Sequence, residues 1–503
     1  MDEPKRTIGV IGAGTMGRGI VQLFAQAGHP VRCFDAQAGA AAKAVDHVLT
    51  MIGRRVEKGL TRAQDFEGIR SRVSIAEALP QLAGCDVVIE AIVEDLGVKR
   101  GLFQSLEAIV GAKTILATNT SSLTVSEIAA GCARPERIAG LHFFNPVPLM
   151  KVAEVIAAVR TSAETLQALR ALAEGAGHRA VVTADQPGFL INHAGRGLYT
   201  EGLRIVEEQV ASPSDVDDVL REAMGFRMGP FELLDLTGLD VSSKVMASIY
   251  EQFQHEPRFR PSSLVAPRVA AGLFGRKSGE GWYRYDAEGR KQVPPPRPAP
   301  PLLEGLAVWL DPNATDALID AVTRSGLSLV HAPQHADLAI VQPWGVDATT
   351  TASAFGLDPA RTVAVDPMTP WALRRTLMLT SVTSASARDA AHALLGAGGH
   401  VVTVINDSAG FIAQRVMATI VNIAANIAQR GIASVADLED SVQLGLGYPH
   451  GPLAWGDRIG AAGILRILRA QQEATGDPRY RPSPWLVRRV ALAVTLTTPE
   501  AAR

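Results

Sequence analysis

The sequence predicts an α/β domain built on a parallel sheet, then an all-α domain, then a degenerate α/β segment and a second copy of the all-α domain. Three observations predict it. Residues 7 to 145 alternate short β-rich runs with helical stretches, the pattern of a parallel sheet wound with helices. From Gly188 to about residue 250 the pattern turns helical. Residues beyond 400 then repeat that helical region in register.

Bulk properties bound the reading. A chain of 503 residues is too long for one core, and roughly three to four domains are expected. Hydrophobic residues make up 47% and charged residues 20%, as in ordinary globular chains. A net charge of −2 argues against nucleic acid or an anionic membrane as the main partner. No apolar run reaches membrane-spanning length. The start, MDEPKR, is charged and fits no signal or transit peptide. Cys33, Cys85 and Cys132 lack CxxC spacing and are odd in number, which suits a reducing cytoplasm. No cluster has metal-ligand spacing, so no metal is expected.

In the first domain (1–185), TIGVIG, VRCFD, DVVIEAIV, KTILATN and RIAGLHFF read as buried strands. The helical domain spans 186–292, and VPPPRPAPP (293–301) is a stiff, Pro-rich linker. In the third segment (302–400), LAVWL, LSLVHA, DLAIVQP and TVAVDP could be strands, without a glycine fingerprint. The last segment (401–503) is the repeat. Asp185, Gly188 and Phe189 return as Asp407, Gly410 and Phe411; Ala211, Ser212, Asp215 and Asp218 as Ala433, Ser434, Asp437 and Asp440; Gly229, Pro230 and Asp235 as Gly451, Pro452 and Asp457. All share an offset of 222, and PRFRPS (257–262) matches PRYRPS (478–483) at an offset of 221. Chance rarely preserves register this long, so the helical domain is read as duplicated. The two copies are expected to pack as an internal pseudo-dimer that replaces a partner subunit, with a homodimer also open.

Gly12, Gly14 and Gly17 form GxGxxG directly after an apolar strand and at the start of a helix. Gly12 permits the tight turn, Gly14 lets the backbone approach a pyrophosphate, and Gly17 lets helix and strand pack closely. The helix N-terminus supplies N–H groups and a positive dipole for phosphates. The next strand ends in Asp35, placed to bind ribose hydroxyls and repel a 2′-phosphate. Together these predict a Rossmann domain that binds NAD rather than NADP.

RIAGLHFFNPVPLM places His142 near the carboxyl end of a strand, the edge where doubly wound sheets bind ligands. Twelve residues later Glu154 lies in another strand-like run, KVAEVI. Oxidising a secondary alcohol needs a base for the hydroxyl proton. An imidazole suits this, with a carboxylate on its other nitrogen fixing the tautomer. Taken alone, the same two residues also fit a structural pair.

GAGTMGRGI, EAIVED, NTSSL, GLHFFNPVPLMKVAEVI, DQPGFLIN, MGPFELLDLTGLD and GRKSGEGWYRY occur in this order. With them the chain resembles the 3-hydroxyacyl-CoA dehydrogenase family across residues 5–286. Its two-repeat length looks like the bacterial 3-hydroxybutyryl- or 3-hydroxyadipyl-CoA type. The resemblance implies NAD-dependent oxidation of an (S)-3-hydroxyacyl-CoA thioester, in fatty-acid or aromatic-acid catabolism. It implies His142 as base, Glu154 as its partner, and Ser121 as a hydrogen-bond donor to the reacting oxygen. Asn192 would hold the thioester or the developing oxygen, and Asn145 would contact substrate or cofactor. Glu94, Lys99 and Lys277 match positions that touch NAD. Against these roles, Ser121 or Asn145 could cap loops, and Lys277 could be a solvated charge.

Two departures from the family pattern stand out. His193 follows Asn192 where the family usually has arginine. The stretch HVLTMIGRRVEKG offers Gly53, Arg54, Arg55 and Lys58 where the family carries a serine and lysines for CoA; a solvated helix face fits them equally. Two other functions remain open from sequence: a dehydrogenase of free small 3-hydroxy acids, and a non-catalytic NAD-binding protein.

Overall fold

A computed structural model describes residues 5–293, 298–302 and 304–501. Linker residues 294–297 therefore lie outside the described residues. The chain divides into two units, Met1–His193 with Arg430–Leu446, and Ala194–Gln429 with Gly447–Arg503.

The first unit carries an eight-stranded sheet: β1 (Ile8–Ile11), β2 (Val31–Phe34), β3 (Val73–Ile75), β4 (Val87–Glu90), β5 (Ile115–Thr118), β6 (Ile138–Phe143), β7 (Val152–Ala157) and β8 (Arg179–Ala184). Their order is β3-β2-β1-β4-β5-β6-β7-β8. The five strands expected from sequence are β1, β2, β4, β5 and β6, and KVAEVI forms β7. β1, β4 and β5 are buried throughout, as strands covered on both faces must be. The five expected strands pair in parallel, as the pattern over residues 7 to 145 predicts, whereas β7 runs antiparallel to β6. The connection from Phe144 to Lys151 is too short for a parallel crossover, so the chain must turn straight back. That turn brings His142 directly opposite Glu154.

The first unit runs to His193. Residues Arg430–Leu446, read from sequence as part of the last domain, belong to the first unit. There the Ala184 N–H donates to the Ile432 carbonyl (2.8 Å), and Arg179 reaches Asp437 (2.7 Å) and Asp440 (2.8 Å).

The second unit opens with helices Arg196–Glu207, Pro213–Glu222, Pro230–Thr237 and Leu239–Gln252, then a short hairpin, β9 (Arg284–Tyr285) and β10 (Lys291–Gln292). A six-stranded sheet follows: β11 (Ala307–Leu310), β12 (Ser328–Leu329), β13 (Leu338–Val341), β14 (Thr362–Val365), β15 (Arg375–Leu379) and β16 (Val402–Ile405), ordered β12-β11-β13-β14-β15-β16. The four strands expected from sequence are present. β15 and β16 are additional, and the sheet runs past the boundary expected at residue 400. Only the β14–β15 pair is antiparallel among these strands, as β6–β7 is in the first sheet. The repeat extends to a capping contact. Asp185 accepts the N–H groups of Val125 and Ser126 at the start of helix Val125–Ala129; Asp407 does the same for Ala348 and Thr349 at helix Ala348–Phe355.

An offset of 222 carried back without a gap places Glu154 on Thr376, but within this sheet the register slips by two residues. Ala364, at His142 plus 222, pairs with Met378 rather than with Thr376. It is Asp366 whose N–H donates to the Thr376 carbonyl (3.2 Å). After β16, helices Ile412–Gln429, Pro452–Ile459, Ala461–Thr475 and Pro484–Ala491 complete the unit.

Candidate active site

The glycine motif follows β1 as the spacing requires. Gly12 has φ 104°, and a Cβ there would meet the Ala91 carbonyl oxygen at 2.4 Å. A Cβ on Gly17 would collide with the Gly12 carbonyl oxygen. Gly14 differs, because a Cβ there would meet nothing within 4 Å. Chain packing thus explains the first and third glycines but not the second, which suits close approach of a ligand. Gly14 is the N-cap of helix Thr15–Gln26, and no side chain caps its first turn. These N–H groups fit a pyrophosphate. Asp35 sits just past β2 and orders the loop, accepting from the Ala13 N–H (2.7 Å) and the Gln37 N–H (2.8 Å).

On β6, His142 is 5% exposed and Glu154 on β7 is fully buried. His142 Nδ1 lies 2.6 Å from Glu154 Oε2. The other oxygen, Oε1, accepts the N–H groups of Leu190 (2.9 Å) and Ile191 (2.7 Å). Sequence reasoning missed this second duty: Glu154 also pins the turn that leads to Asn192. Phe144 and Phe189 pack beside the imidazole, with ring centroids at 4.4 and 5.9 Å. With Nδ1 held by a buried carboxylate, Nε2 is the nitrogen left to take or give a proton.

A cavity of about 300 Å³ adjoins this pair, lined by Met16, Glu94, Lys99, Asn119, Ser121, His142 and Asn145 among others. One Glu94 oxygen accepts from Thr120 Oγ1 (2.6 Å) and from the N–H groups of Ser121 and Ser122 (both 3.1 Å), so it sets the NTSSL loop. Burial pushes the Glu94 carboxyl up, but hydrogen bonds from Thr120 and Ser122, the Lys99 ammonium and the Ser121 N–H outweigh it and hold it below its ordinary value. Asn119 was not singled out from sequence. Its side-chain oxygen accepts the Phe143 N–H (2.8 Å), which ties the end of β5 to the strand that carries His142.

The structure therefore gathers Gly12, Gly14, Gly17, Asp35, Glu94, Lys99, Ser121, His142, Asn145, Glu154 and Asn192 in one unit. Asn192 lies in the short helix Ile191–Ala194. His193 is fully buried beside it. Lys277 lies in the second unit, half exposed, with Nζ 2.5 Å from Asp240 Oδ1. Glu90 was also missed, although a carboxylate ending an all-apolar strand must find a partner. It accepts from Lys99 Nζ at 2.5 Å, and both residues are buried. The described residues contain no group of three or more His, Cys, Asp or Glu that could hold a metal. No described helix is long and apolar enough to cross a membrane.

Comparison with known proteins decides the family. The model of the 3-hydroxyacyl-CoA dehydrogenase NAD binding domain matches residues 7–186, and that of the C-terminal domain matches residues 188–285 and 410–496. The chain belongs to the 3-hydroxyacyl-CoA dehydrogenase family. It is 38% identical to the 3-hydroxyadipyl-CoA dehydrogenase of Escherichia coli K12, over 97% of this chain and 98% of that one. The 3-hydroxybutyryl-CoA dehydrogenase of Clostridioides difficile is 36% identical over 56% of this chain and 99% of its own. A crystal structure of 3-hydroxybutyryl-CoA dehydrogenase from Escherichia coli K12 superposes with a TM-score of 0.84 at 35% identity, covering 97% of this chain and 99% of that one. In this dehydrogenase family member the NAD binding match ends one residue past Asp185, and the C-terminal domain model matches twice.

Proposed function

We propose that this dehydrogenase oxidises (S)-3-hydroxyacyl-CoA thioesters of the 3-hydroxybutyryl- or 3-hydroxyadipyl-CoA type to 3-oxoacyl-CoA with NAD, in the cytoplasm. The observation that carries the reading is the buried His142–Glu154 pair beside the cavity, at the carboxyl edge of a sheet that opens with a dinucleotide-type glycine turn. When bound, NAD accepts the hydride from the alcohol carbon. Gly14 and the start of helix Thr15–Gln26 suit its pyrophosphate, Asp35 its ribose hydroxyls, and Glu94 and Lys99 border the cavity at the other end. His142 takes the hydroxyl proton at Nε2 in oxidation and returns it in reduction. Glu154 accepts from Nδ1, which keeps the ring oriented and stabilises the imidazolium as it forms. Ser121 and Asn192 act as donors to the reacting oxygen, Asn145 contacts substrate or cofactor, and Lys277 is a further NAD contact.

Absorbance at 340 nm with NADH tests this. The reading expects consumption with acetoacetyl-CoA and none with free acetoacetate. Consumption with acetoacetate alone would move the function to free 3-hydroxy acids. No consumption with either would favour a binding protein. Thioesters of graded length, one carrying an ω-carboxylate, then define the acyl group.

The same reading gives the second helical copy a packing role, as the internal partner of the first. Reciprocal contacts support it. Gly225 faces Pro449 while Gly447 faces Arg227, and the Phe226 and Tyr448 rings meet at 4.9 Å; each partner is the other's counterpart at 222. Helices Arg196–Glu207 and Ile412–Gln429 pack closely, because a Cβ on Gly197 would lie 3.1 Å from Ile420. Arg415 of the second copy pairs with Glu201 (2.7 Å), both buried.

A further inference from the structure

Behind the cavity wall stands a charged cluster that the acid–base mechanism does not use. Glu90 ends β4, is 0% exposed and does not line the cavity. Its carboxylate is fully engaged. Oε1 accepts from Lys99 Nζ (2.5 Å) and the Ile92 N–H (2.8 Å), and Oε2 accepts from Thr118 Oγ1 (2.7 Å). The Lys99 ammonium, 1% exposed, also lies 3.3 Å from Glu94 Oε2. One ammonium is thus held between two carboxylates, and the cluster carries one net negative charge.

A lone ammonium at the Lys99 position would present positive charge to the cavity. Glu90 cancels it from behind, which leaves the negative charge of Glu94 uncompensated on the cavity side. The nicotinamide ring is cationic when oxidised and neutral when reduced. For hydride to reach it, the ring must lie beside the carbon whose hydroxyl His142 deprotonates, and His142, Glu94 and Lys99 border the same cavity. A fixed negative charge there attracts the oxidised ring and is indifferent to the reduced one. Because the pair is desolvated, salt screens it little.

We propose that Glu90 is a positioning residue which, by neutralising Lys99 from behind, sets the balance of affinity between oxidised and reduced nicotinamide in favour of the oxidised form. This rests on the reading of His142 and NAD given above. It gives a role to a carboxylate at the end of an otherwise apolar strand, where replacing a buried ion pair with apolar residues often costs little stability.

The test is the ratio of dissociation constants, Kd(NAD⁺)/Kd(NADH), on the full-length protein. NADH is titrated by its fluorescence, and NAD⁺ by competition. Glu90→Gln takes the cluster from −1 to 0, and the ratio should rise on the order of tenfold for a charge removed at this range. The double variant Glu90→Gln/Lys99→Met returns the net charge to −1, and its ratio should fall back towards that of the wild type. A merely structural role would weaken both nucleotides together and leave the ratio unmoved. Should Glu90→Gln not fold, as judged by circular dichroism, Glu94→Gln gives the same net charge on a side chain 36% exposed, and Glu94→Gln/Lys99→Met, at −1, is the arm that should return the ratio. An unchanged ratio in the charge-altering variants, or a double variant that does not return, would overturn the inference while leaving the proposed function standing. Failure of the wild type to bind either nucleotide would overturn both.

Discussion

The carboxyl edges of the two sheets differ in how their polar groups are satisfied. At the first edge the glycine loop leaves the helix N-terminus uncapped by any side chain. At the second, the chain supplies its own acceptors. Gln342 Oε1 accepts the Thr315 N–H (2.7 Å) at the start of helix Asp316–Arg324, and Asp311 accepts from the Asn313 (2.7 Å) and Gln342 (3.4 Å) N–H groups. At the first edge His142 faces Glu154. At the second, Asp366 lies across from Thr376, and its carboxylate accepts from the Met368 N–H (2.9 Å) and from Gln414 (3.0 Å), the residue at Asn192 plus 222. Gln414 also accepts the Gly345 N–H (2.8 Å) and donates to the Pro343 carbonyl (3.1 Å). At the first edge the start of helix Thr15–Gln26 has no side-chain acceptor, whereas at the second Gln342 supplies one, although Asp366 Oδ2 and Thr376 Oγ1 stay buried there without a partner among the described residues.

The largest effect should come from the first edge. His142→Ala should lower kcat on the order of 10²–10⁴-fold in the 340 nm assay, with NADH affinity kept. Glu154→Ala should not multiply that loss, since the two act as one unit. It should also lower Tm, because Leu190 and Ile191 lose their acceptor. Near-normal turnover by His142→Ala would erase the contrast between the edges. Truncation after Pro300 comes next, removing the surface on which helix Arg196–Glu207 packs. Light scattering should show an aggregating or newly dimerising fragment of low activity. A monomeric, fully active fragment would make the second half a mere appendage.

Substitutions at the second edge should cost stability rather than turnover. Gln414→Leu strands the Gly345 N–H and the Asp366 carboxyl, at a cost of about 2–4 kcal/mol in denaturant melts, with kcat within about twofold of wild type. The smallest effect is a pH signature. Burial pushes the Asp366 carboxyl up to about 6, against the hydrogen bonds from Met368 and Gln414. An acid whose folded pKa is raised penalises the folded state once the unfolded chain ionises. The penalty should therefore grow from about pH 4, where unfolded aspartate loses its proton, to about pH 6, and stay level above. Asp366→Asn removes it. Its stability gain should be near zero at pH 4 and on the order of 2 kcal/mol at pH 7. A gain independent of pH would mean that Asp366 is not the buried acid described.

Much of the first edge was legible in the sequence, because its determinants are local. The glycine spacing, Asp35 at a strand end, and His142 in a buried run each carry their own signal. What was not legible depends on partners brought together by the fold. The antiparallel return of β7, the second duty of Glu154 and the Glu90–Lys99 pair all join elements through the sheet. β15 was missed because it is a short run that opens on a charged residue, Arg375. Arg375 is in fact buried, stacked 4.0 Å over Trp371 and donating to the Trp371 and Leu395 carbonyls. The offset of 222 revealed a duplication, but not the two-residue slip that sets Asp366, rather than Ala364, across from Thr376.

The contrast between the edges comes down to how many dinucleotide sites one chain carries. Isothermal titration of the full-length protein with NADH measures this directly. One molecule bound per 503-residue chain is the result expected from one open edge and one that is self-capped. Two bound per chain would show that the second edge still takes the cofactor and would contradict the account.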